Sequence, residues 1–384
     1  LSSFKSGRKF TLTFSFSLNY FSFLNPIFLF LKHFSEFFVH FCHPKLFCHP
    51  ERSEGSVNKQ SMKQTLLTIL FLYPLILHAS HPDSLLVMFW NVENFFDYFD
   101  GGTGESDKEF SSYGSRRWTR RKFQKKCDDI AKSVFWTGEI YGRIPDVIGL
   151  AEVENRGVLW KLLNNTLLRK CGDRIVHCES GDRRGIDVAL LYRESSFRKV
   201  SRSSVTPSIN GEKISTRDML QVLLEDDMGK KYNLIVNHHP SKYGGSEESE
   251  GRRYAAMTAL RQICDSLISA DPGVPVVAMG DFNDSPDGEQ FGILEGVLTN
   301  KAATLFDEGR GTIRYQGKWE LIDMFMVSED LSARSKMEIV RIPFLMTYEK
   351  KFPGLKPLRT YSGPRYIGGV SDHCPVVLCI FGGY

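Results

Sequence analysis

The feature that most constrains this 384-residue chain is a series of short hydrophobic runs, each meeting a residue able to bind a metal or move a proton. Residues 85–90 run into Asn91, "VIGLA" into Glu152, "NLIVN" into His238, and "VVAMG" into Asp281 with Asn283 two places on. Asp323, within "ELIDMFMVS", is read as another such run end, and Asp372 and His373 stand just ahead of the last run, "VVLCIF". Apolar runs this short, bounded by polar turns, read as strands buried on both faces. One carboxylate after a strand is ordinarily a turn former. A whole series in register is hard to explain by turns alone. Strand ends on one rim of a sheet converge, so these groups are expected to meet in one pocket.

Helical patterns alternate with the strands. Phe123, Cys127, Ile130, Ala131, Val134 and Phe135 recur at helical spacing, which predicts an amphipathic helix. Residues 158–168 and the stretch "SEGRRYAAMTALRQICDSLI" read as two more, the latter with Ala255, Leu260, Ile263 and Leu267 toward the core. No repeat and no linker rich in Pro, Gly or Ser divides the chain after residue 80. One α/β domain of two packed sheets with flanking helices accounts for the pattern.

The front of the chain stands apart. Residues 1–79 hold 14 of the 29 Phe, and 8 Lys and Arg against 3 Asp and Glu. The remainder is close to neutral, which argues against a broad basic surface for duplex nucleic acid. The first methionine is Met62; Lys63, an apolar stretch over 66–77 and His78-Ala79-Ser80 together read as a cleaved signal peptide over residues 62–79. The apolar stretch is too short to span a bilayer comfortably, so no stable membrane anchor is expected after cleavage. Residues 1–61, with Cys-His-Pro at both Cys42 and Cys48, read as mistranslated upstream sequence outside the mature protein. A secreted or periplasmic domain over 80–384, acting as a monomer, is the expectation. Cys171 and Cys178 are close enough in sequence to pair there, whereas the odd spacing of Cys374 and Cys379 puts them on opposite faces of a strand. No cysteine spacing after residue 80 suggests structural zinc.

The gathered residue types carry the chemistry. They are carboxylates, amides and two histidines, with no Ser or Cys at a nucleophile turn. Oxygen donors with few nitrogens suit a hard cation, Mg²⁺ or alternatively Mn²⁺. Such a set points to metal-assisted hydrolysis of a phosphoester, with the remaining groups positioning water and stabilising the leaving oxygen.

The motifs "WNVENFFD", "IGLAEVEN", "RGIDVALLY", "VNHHPS", "GDFND", "LIDMFMVS" and "SDHCPV", in this order, resemble the endonuclease/exonuclease/phosphatase superfamily. The resemblance covers residues 85–381. It implies a deoxyribonuclease-like four-layered α/β sandwich, two packed mixed β-sheets flanked by helices. It also implies roles. Asn91 and Glu152 match the metal site, and Asp372 is often assigned to the metal environment. Asp281 matches the aspartate that activates water, and Asn283 its phosphate-contacting neighbour. His373 matches the histidine that stabilises the transition state, held by Asp323, and His238 matches the second histidine at the phosphate. The family commonly has Gln where this chain has Ala151. Glu154, placed by strand alternation on the face of Glu152, competes with it as ligand, and His239 competes with His238.

Arg183, Arg184 and Arg217 are candidates to grip phosphate. "RRWTRRKFQKK", with Trp118 and Phe123 among basic residues, reads either as a nucleic-acid contact or as the wet face of its helix. The expected substrate is nucleic acid, cleaved by a secreted nuclease. The alternatives are a phosphatase or sphingomyelinase-type enzyme on small or lipid phosphoesters, and a binding module that has lost the chemistry.

Overall fold

The computed structural model describes residues 84–102, 104–242 and 246–382, side chains of 246–248 excepted. The segments 1–61 and 62–79 lie outside the described residues. In chain order the main strands are β1 (Leu85–Phe95), β2 (Val147–Val153), β3 (Asp173–His177), β4 (Asp187–Arg193), β5 (Phe197–Val205) and β6 (Met219–Asp226). They continue as β7 (Lys231–His238), β8 (Val276–Asp281), β9 (Thr299–Asn300), β10 (Asp323–Val327), β11 (Ser335–Ile339) and β12 (Val376–Ile380). They build two mixed sheets, in the orders β11-β12-β1-β2-β4-β3 and β9-β10-β8-β7-β6-β5. The flanking helices are α1 (Arg120–Tyr141), α2 (Arg156–Asn164) and α3 (Ser246–Ala270).

Strand alternation sorts the first sheet into two faces. Val87, Phe89, Val147 and Leu190 join a core shared with the second sheet, which continues to Met257, Leu260 and Cys264 of α3. Leu86, Met88, Trp90, Ile148 and Leu150 face the other way, onto Phe123, Cys127, Ile130 and Val134 of α1 and Leu159 and Leu162 of α2. Each such side chain, once fully buried, contributes about 1.5–3 kcal/mol. Caps fix where the helices begin and end. Thr119 accepts from the Lys122 N–H, Asn155 accepts from the Val158 N–H, and Gly142 at φ 70° closes α1 in the left-handed conformation.

The sheets close tightly at Gly149. A Cβ there would lie 2.6 Å from Met279 Sδ and 3.1 Å from Phe89 Cδ2. Gly149→Val is expected to cost about 1–3 kcal/mol by overpacking this contact. Urea unfolding measures it, and an unchanged midpoint would mean that the sheets can move apart freely.

Both sheets share one layout, and it positions the site. The central strands run parallel, β1 beside β2 and β7 beside β8. Their outer neighbours run antiparallel: β12 and β4 in the first sheet, β10 and β6 in the second. Parallel strands therefore end on the rim from which their antiparallel neighbours start. Asp323 is thus the first residue of β10 and not a strand end, and it still pairs with Asp281, the last residue of β8.

The cysteines differ in part from expectation. Cys171 and Cys178 are both free, so the expected pairing is not formed. Cys374 packs in the core between the sheets and Cys379 against the opposite one.

Candidate active site

The rim residues meet around Asp281. Asn91 Nδ2 donates to Asp281 Oδ2 at 3.0 Å, across the two sheets. His238 Nε2 lies 3.6 Å from the same oxygen and His373 Nε2 lies 3.9 Å from it. Asp281 Oδ1 accepts from the backbone N–H of Asn283 at 2.9 Å. Asp323 holds His373 from behind, with Nδ1 2.8 Å from Asp323 Oδ2. Nδ1 facing a carboxylate must carry the hydrogen, which leaves Nε2 directed at the pocket. The backbone supports the ring too: His373 O accepts from Trp90 Nε1 at 2.9 Å, and Ser371 Oγ joins the His373 N–H to the carbonyl of Asn91.

The carboxylates live in opposed environments. Burial, and then the charge of Asp323, push Asp281 up to about 7, with His373 pulling the other way. Burial would raise Glu152 as well. The Arg184 guanidinium and the Asn94 N–H outweigh it and bring Glu152 down to about 2. His373 is buried, which disfavours its charge, but Asp323, Asp281 and Asp372 hold it well above its ordinary value. His238 goes well below, through burial and the charges of Arg217 and Arg184. The two histidines are thus driven in opposite directions, His373 toward the cationic form and His238 toward the neutral one.

Glu152 owes its position to a bulge. The pairing of β2 slips between Ala151 and Val153, and Glu152 sits at φ 61°. A non-glycine residue in this region is strained, as strained residues at functional sites often are. The bulge corrects the expectation that alternation carries through to Glu154. Glu152 accepts from the Asn94 N–H at 2.7 Å and meets Arg184 Nη2 at 3.2 Å. Glu154 instead accepts from the Asp97 N–H at 2.6 Å. Burial, then the nearby Asp97 and Asp107, push it up to about 8, so it is a poor cation ligand at neutral pH.

The three arginines part company. Arg184 faces Glu152 and Asn94. Arg217 is buried, bonding the carbonyl of His239 and Asp182, so it braces the site wall. Arg183 does not join them: its side chain is 78% exposed and lies against Glu105. Asn283 spends its amide N–H on the His239 carbonyl at 2.9 Å. The His239 ring packs on the Phe282 ring, while its backbone N–H donates to the carbonyl of Asp281 at 2.8 Å.

Sequence reasoning missed a buried network beside Asn91. Lys126 of α1 is buried; its Nζ donates to the carbonyl of Glu93 and, at 2.9 Å, to Thr360 Oγ1. Glu93 pairs with Arg359 Nη2 at 2.9 Å, and the same guanidinium reaches Asp372 Oδ2 at 3.1 Å. The signal was present. Lys126 falls three residues after Phe123 and four before Ile130, on the apolar stripe. Much of the basic run is likewise tied down, by Arg116 on Glu109 and Lys122 on the carbonyls of Arg116 and Arg117. Arg117, Arg120 and Arg121 stay exposed.

The donor set fits a hard divalent cation. Glu152 is ionised, Asn91 supplies an amide oxygen, and Asp372 a second carboxylate. Arg184 and Arg359 now balance these carboxylates, a sign that the site calls for positive charge. One ligand atom each from Asp281, Asp323 and His373 also lie within 4.8 Å of one another. Asp323 is already engaged with Nδ1 of His373, so this trio is better suited to handling protons.

The sequence model of the Endonuclease/Exonuclease/phosphatase family matches residues 86–381. The chain belongs to this family. It is a phosphoesterase of the endonuclease/exonuclease/phosphatase type, built on the family's fold. No curated protein matches the sequence. Among solved structures, a mannosyl-6-phosphatase of Bacteroides thetaiotaomicron aligns at 14% identity over 77% of this chain and 100% of its own, with a TM-score of 0.51. A second endonuclease/exonuclease/phosphatase family protein of that organism aligns at 14% over 77% of this chain and 97% of its own, with a TM-score of 0.50. The human nocturnin catalytic domain aligns at 17% over 79% and 95%, with a TM-score of 0.48. At these identities the neighbours speak for the fold alone.

Proposed function

We propose that this family member is a divalent-metal-dependent phosphodiesterase acting on nucleic acid, with Mg²⁺ as the working ion, and that it acts outside the cytoplasm. One observation carries the chemistry: two carboxylates of one pocket are driven apart, Glu152 to about 2 and Asp281 to about 7. A pair separated in this way divides its labour between binding charge and moving protons. Glu152 and Asn91, with Asp372, are the residues to hold the cation. When bound, it would supply positive charge against a phosphate oxygen.

The remaining roles belong to the chain itself. Asp281, close to half-ionised near neutrality, takes a proton from the attacking water. His373, cationic and fixed by Asp323, donates from Nε2 to a phosphate oxygen as charge builds there. Neutral His238 adds a second donor beside it. Arg184 draws the phosphate toward Glu152, and Arg217 keeps the His239 carbonyl and the adjoining turn in place. Nucleic acid is favoured over small phosphoesters because the segment 341–365, tied to the site through Arg359 and Asp372, carries six Lys and Arg against one acidic residue. The extracellular site of action rests on the signal peptide read at residues 62–79.

The test is an assay of the purified protein with Mg²⁺, Mn²⁺ or EDTA against plasmid DNA, RNA, bis-p-nitrophenyl phosphate and sphingomyelin. Metal-dependent cleavage of nucleic acid is the expected result. Turnover confined to the small diester or the lipid would move the substrate and keep the site, and no turnover with either metal would favour a binding module. Glu152→Gln should raise the Mg²⁺ concentration for half-maximal rate by about tenfold or more, since loss of one charged ligand weakens a hard-cation site. An unchanged metal requirement would remove Glu152 from the metal site.

A further inference from the structure

Two β-hairpins border the catalytic histidine. The first joins the strands Ile313–Tyr315 and Lys318–Glu320, the second Met346–Glu349 and Gly354–Pro357. Arg314 locks them together: it donates to the carbonyls of Phe352 and Pro353 at 3.0 and 3.1 Å and faces Glu349 at 3.4 Å. Gly354 makes this possible, since a Cβ there would lie 2.8 Å from Arg314 Nη2. The pair is fastened to the site at both ends. Ile313 bridges to His373, and Thr312 O accepts from the Cys374 N–H at 2.8 Å. Beyond the second hairpin, Arg359 reaches Asp372.

The exposed surface of this pair is basic. Residues 341–365 contain six Lys and Arg and one acidic residue, Glu349, whereas the remainder after residue 79 has 35 Lys and Arg against 41 Asp and Glu. Glu349 is already matched by Arg314 and Lys356. Among the described residues, Lys318, Arg341, Lys350 and Lys351 have no acidic partner, and all four are exposed. Large apolar groups stand out among them: Tyr315 is 64% exposed, Tyr348 61% and Leu355 56%. Arg341 lies over the Trp319 ring at 4.5 Å.

We propose that these hairpins are a docking platform for a single nucleic-acid strand, held by its phosphates on Lys318, Arg341, Lys350 and Lys351 and by base stacking on Tyr315 and Tyr348. Unpaired cations interleaved with exposed rings suit a strand whose bases are free to stack. A duplex hides those faces; a lipid surface also accepts rings and cations, but among the described residues of the two hairpins Leu355 is the only exposed large aliphatic side chain, little to insert into a bilayer. The platform deepens the nucleic-acid reading above by naming the form of substrate and the surface that selects it.

The test is equilibrium binding of a fluorescently labelled single-stranded DNA oligonucleotide to the purified protein in EDTA, by anisotropy over a range of salt. Lys350→Glu with Lys351→Glu should weaken binding about tenfold or more. It should also flatten the salt dependence by roughly one to two units of log K per log salt, since each phosphate contact contributes about 0.7. Tyr315→Ala with Tyr348→Ala should weaken it about tenfold at every salt concentration. Lys170→Glu with Lys199→Glu, an equal charge change at exposed positions elsewhere, should leave it within about twofold. Thermal unfolding of each variant confirms that it is folded. Wild-type binding by the hairpin variants, or equal losses in the distant pair, would overturn the proposal. Sedimentation with phosphatidylserine vesicles that depends on these residues, without an effect on the oligonucleotide, would also overturn it, in favour of a membrane surface. Binding is read without turnover, so an inactive protein that needs the platform to bind DNA would sink the catalytic reading and leave the platform standing.

Discussion

Asp281→Asn is expected to lower kcat/KM by a factor of about 10²–10⁴ and, in EDTA, to make the protein harder to unfold. The two effects share one cause. A carboxylate acting as base in the transition state contributes on the order of 10²–10⁴ in rate. That same carboxylate is raised by burial and by Asp323 to about 7 from an ordinary 3.8. A folded-state value above the unfolded one means that ionisation opposes folding. The cost begins as pH rises past about 4, grows toward 7 and is full above it. Asparagine keeps the shape and removes the charge, so the melting temperature at pH 8 should rise by several degrees, with little change at pH 4. Loss of both activity and stability would mean that Asp281 is held chiefly by its bonds to Asn91 and Asn283 and is not a strained base.

His373 should show the larger loss in rate. His373→Ala removes the donor aimed at the developing phosphate charge, and a fall of about 10³–10⁴ in kcat is expected. Asp323→Asn is the sharper experiment, because it leaves the imidazole in place. Asp323 is the main influence holding His373 well above its ordinary value, against burial. With the charge gone, the imidazolium should lose its proton at lower pH. The alkaline limb of the rate profile should then move toward acid. An unmoved limb with reduced kcat would assign that limb to another group and leave Asp323 an orienting role only.

What could be read from the sequence divides along burial. β1, β2, β4, β7 and β8 announce themselves because they are buried on both faces and so apolar at nearly every position. β5 is exposed over residues 198–204 and carries no such pattern, so it does not read as a strand. The convergence of Asn91, Glu152, His238 and Asp281 on one rim follows from strand ends, and His373 reaches it as the residue ahead of antiparallel β12. Asp323 joins them for a reason the runs do not contain, the antiparallel direction of β10. Glu152 and Glu154 could not be separated by alternation because the bulge, with its positive φ, breaks the period where the choice is made. Neighbouring arginines 183 and 184 are alike in sequence; only the turn decides that one faces Glu152 and the other solvent. Lys126 was hidden by the basic residues around it, which suggest a solvated face, although its spacing from Phe123 and Ile130 places it among the buried.

The first strand of the chain sits between β2 and the last, β12, and β12 in turn pairs with β11. Almost 300 residues separate Val87 from its partner Leu378. The first sheet therefore cannot close until the final strand has been synthesised, and contacts this distant are formed late and slowly. A nascent chain that stops short of β12 has Asn91 on an open strand edge and His373 on an untethered tail. Such a fragment carries most of the site's polar groups but does not bring them together, so the site is assembled only once the polypeptide includes β12. Loss of the last ten residues should act as a recessive knock-out of the whole centre, however far those residues lie from Asp281 in sequence.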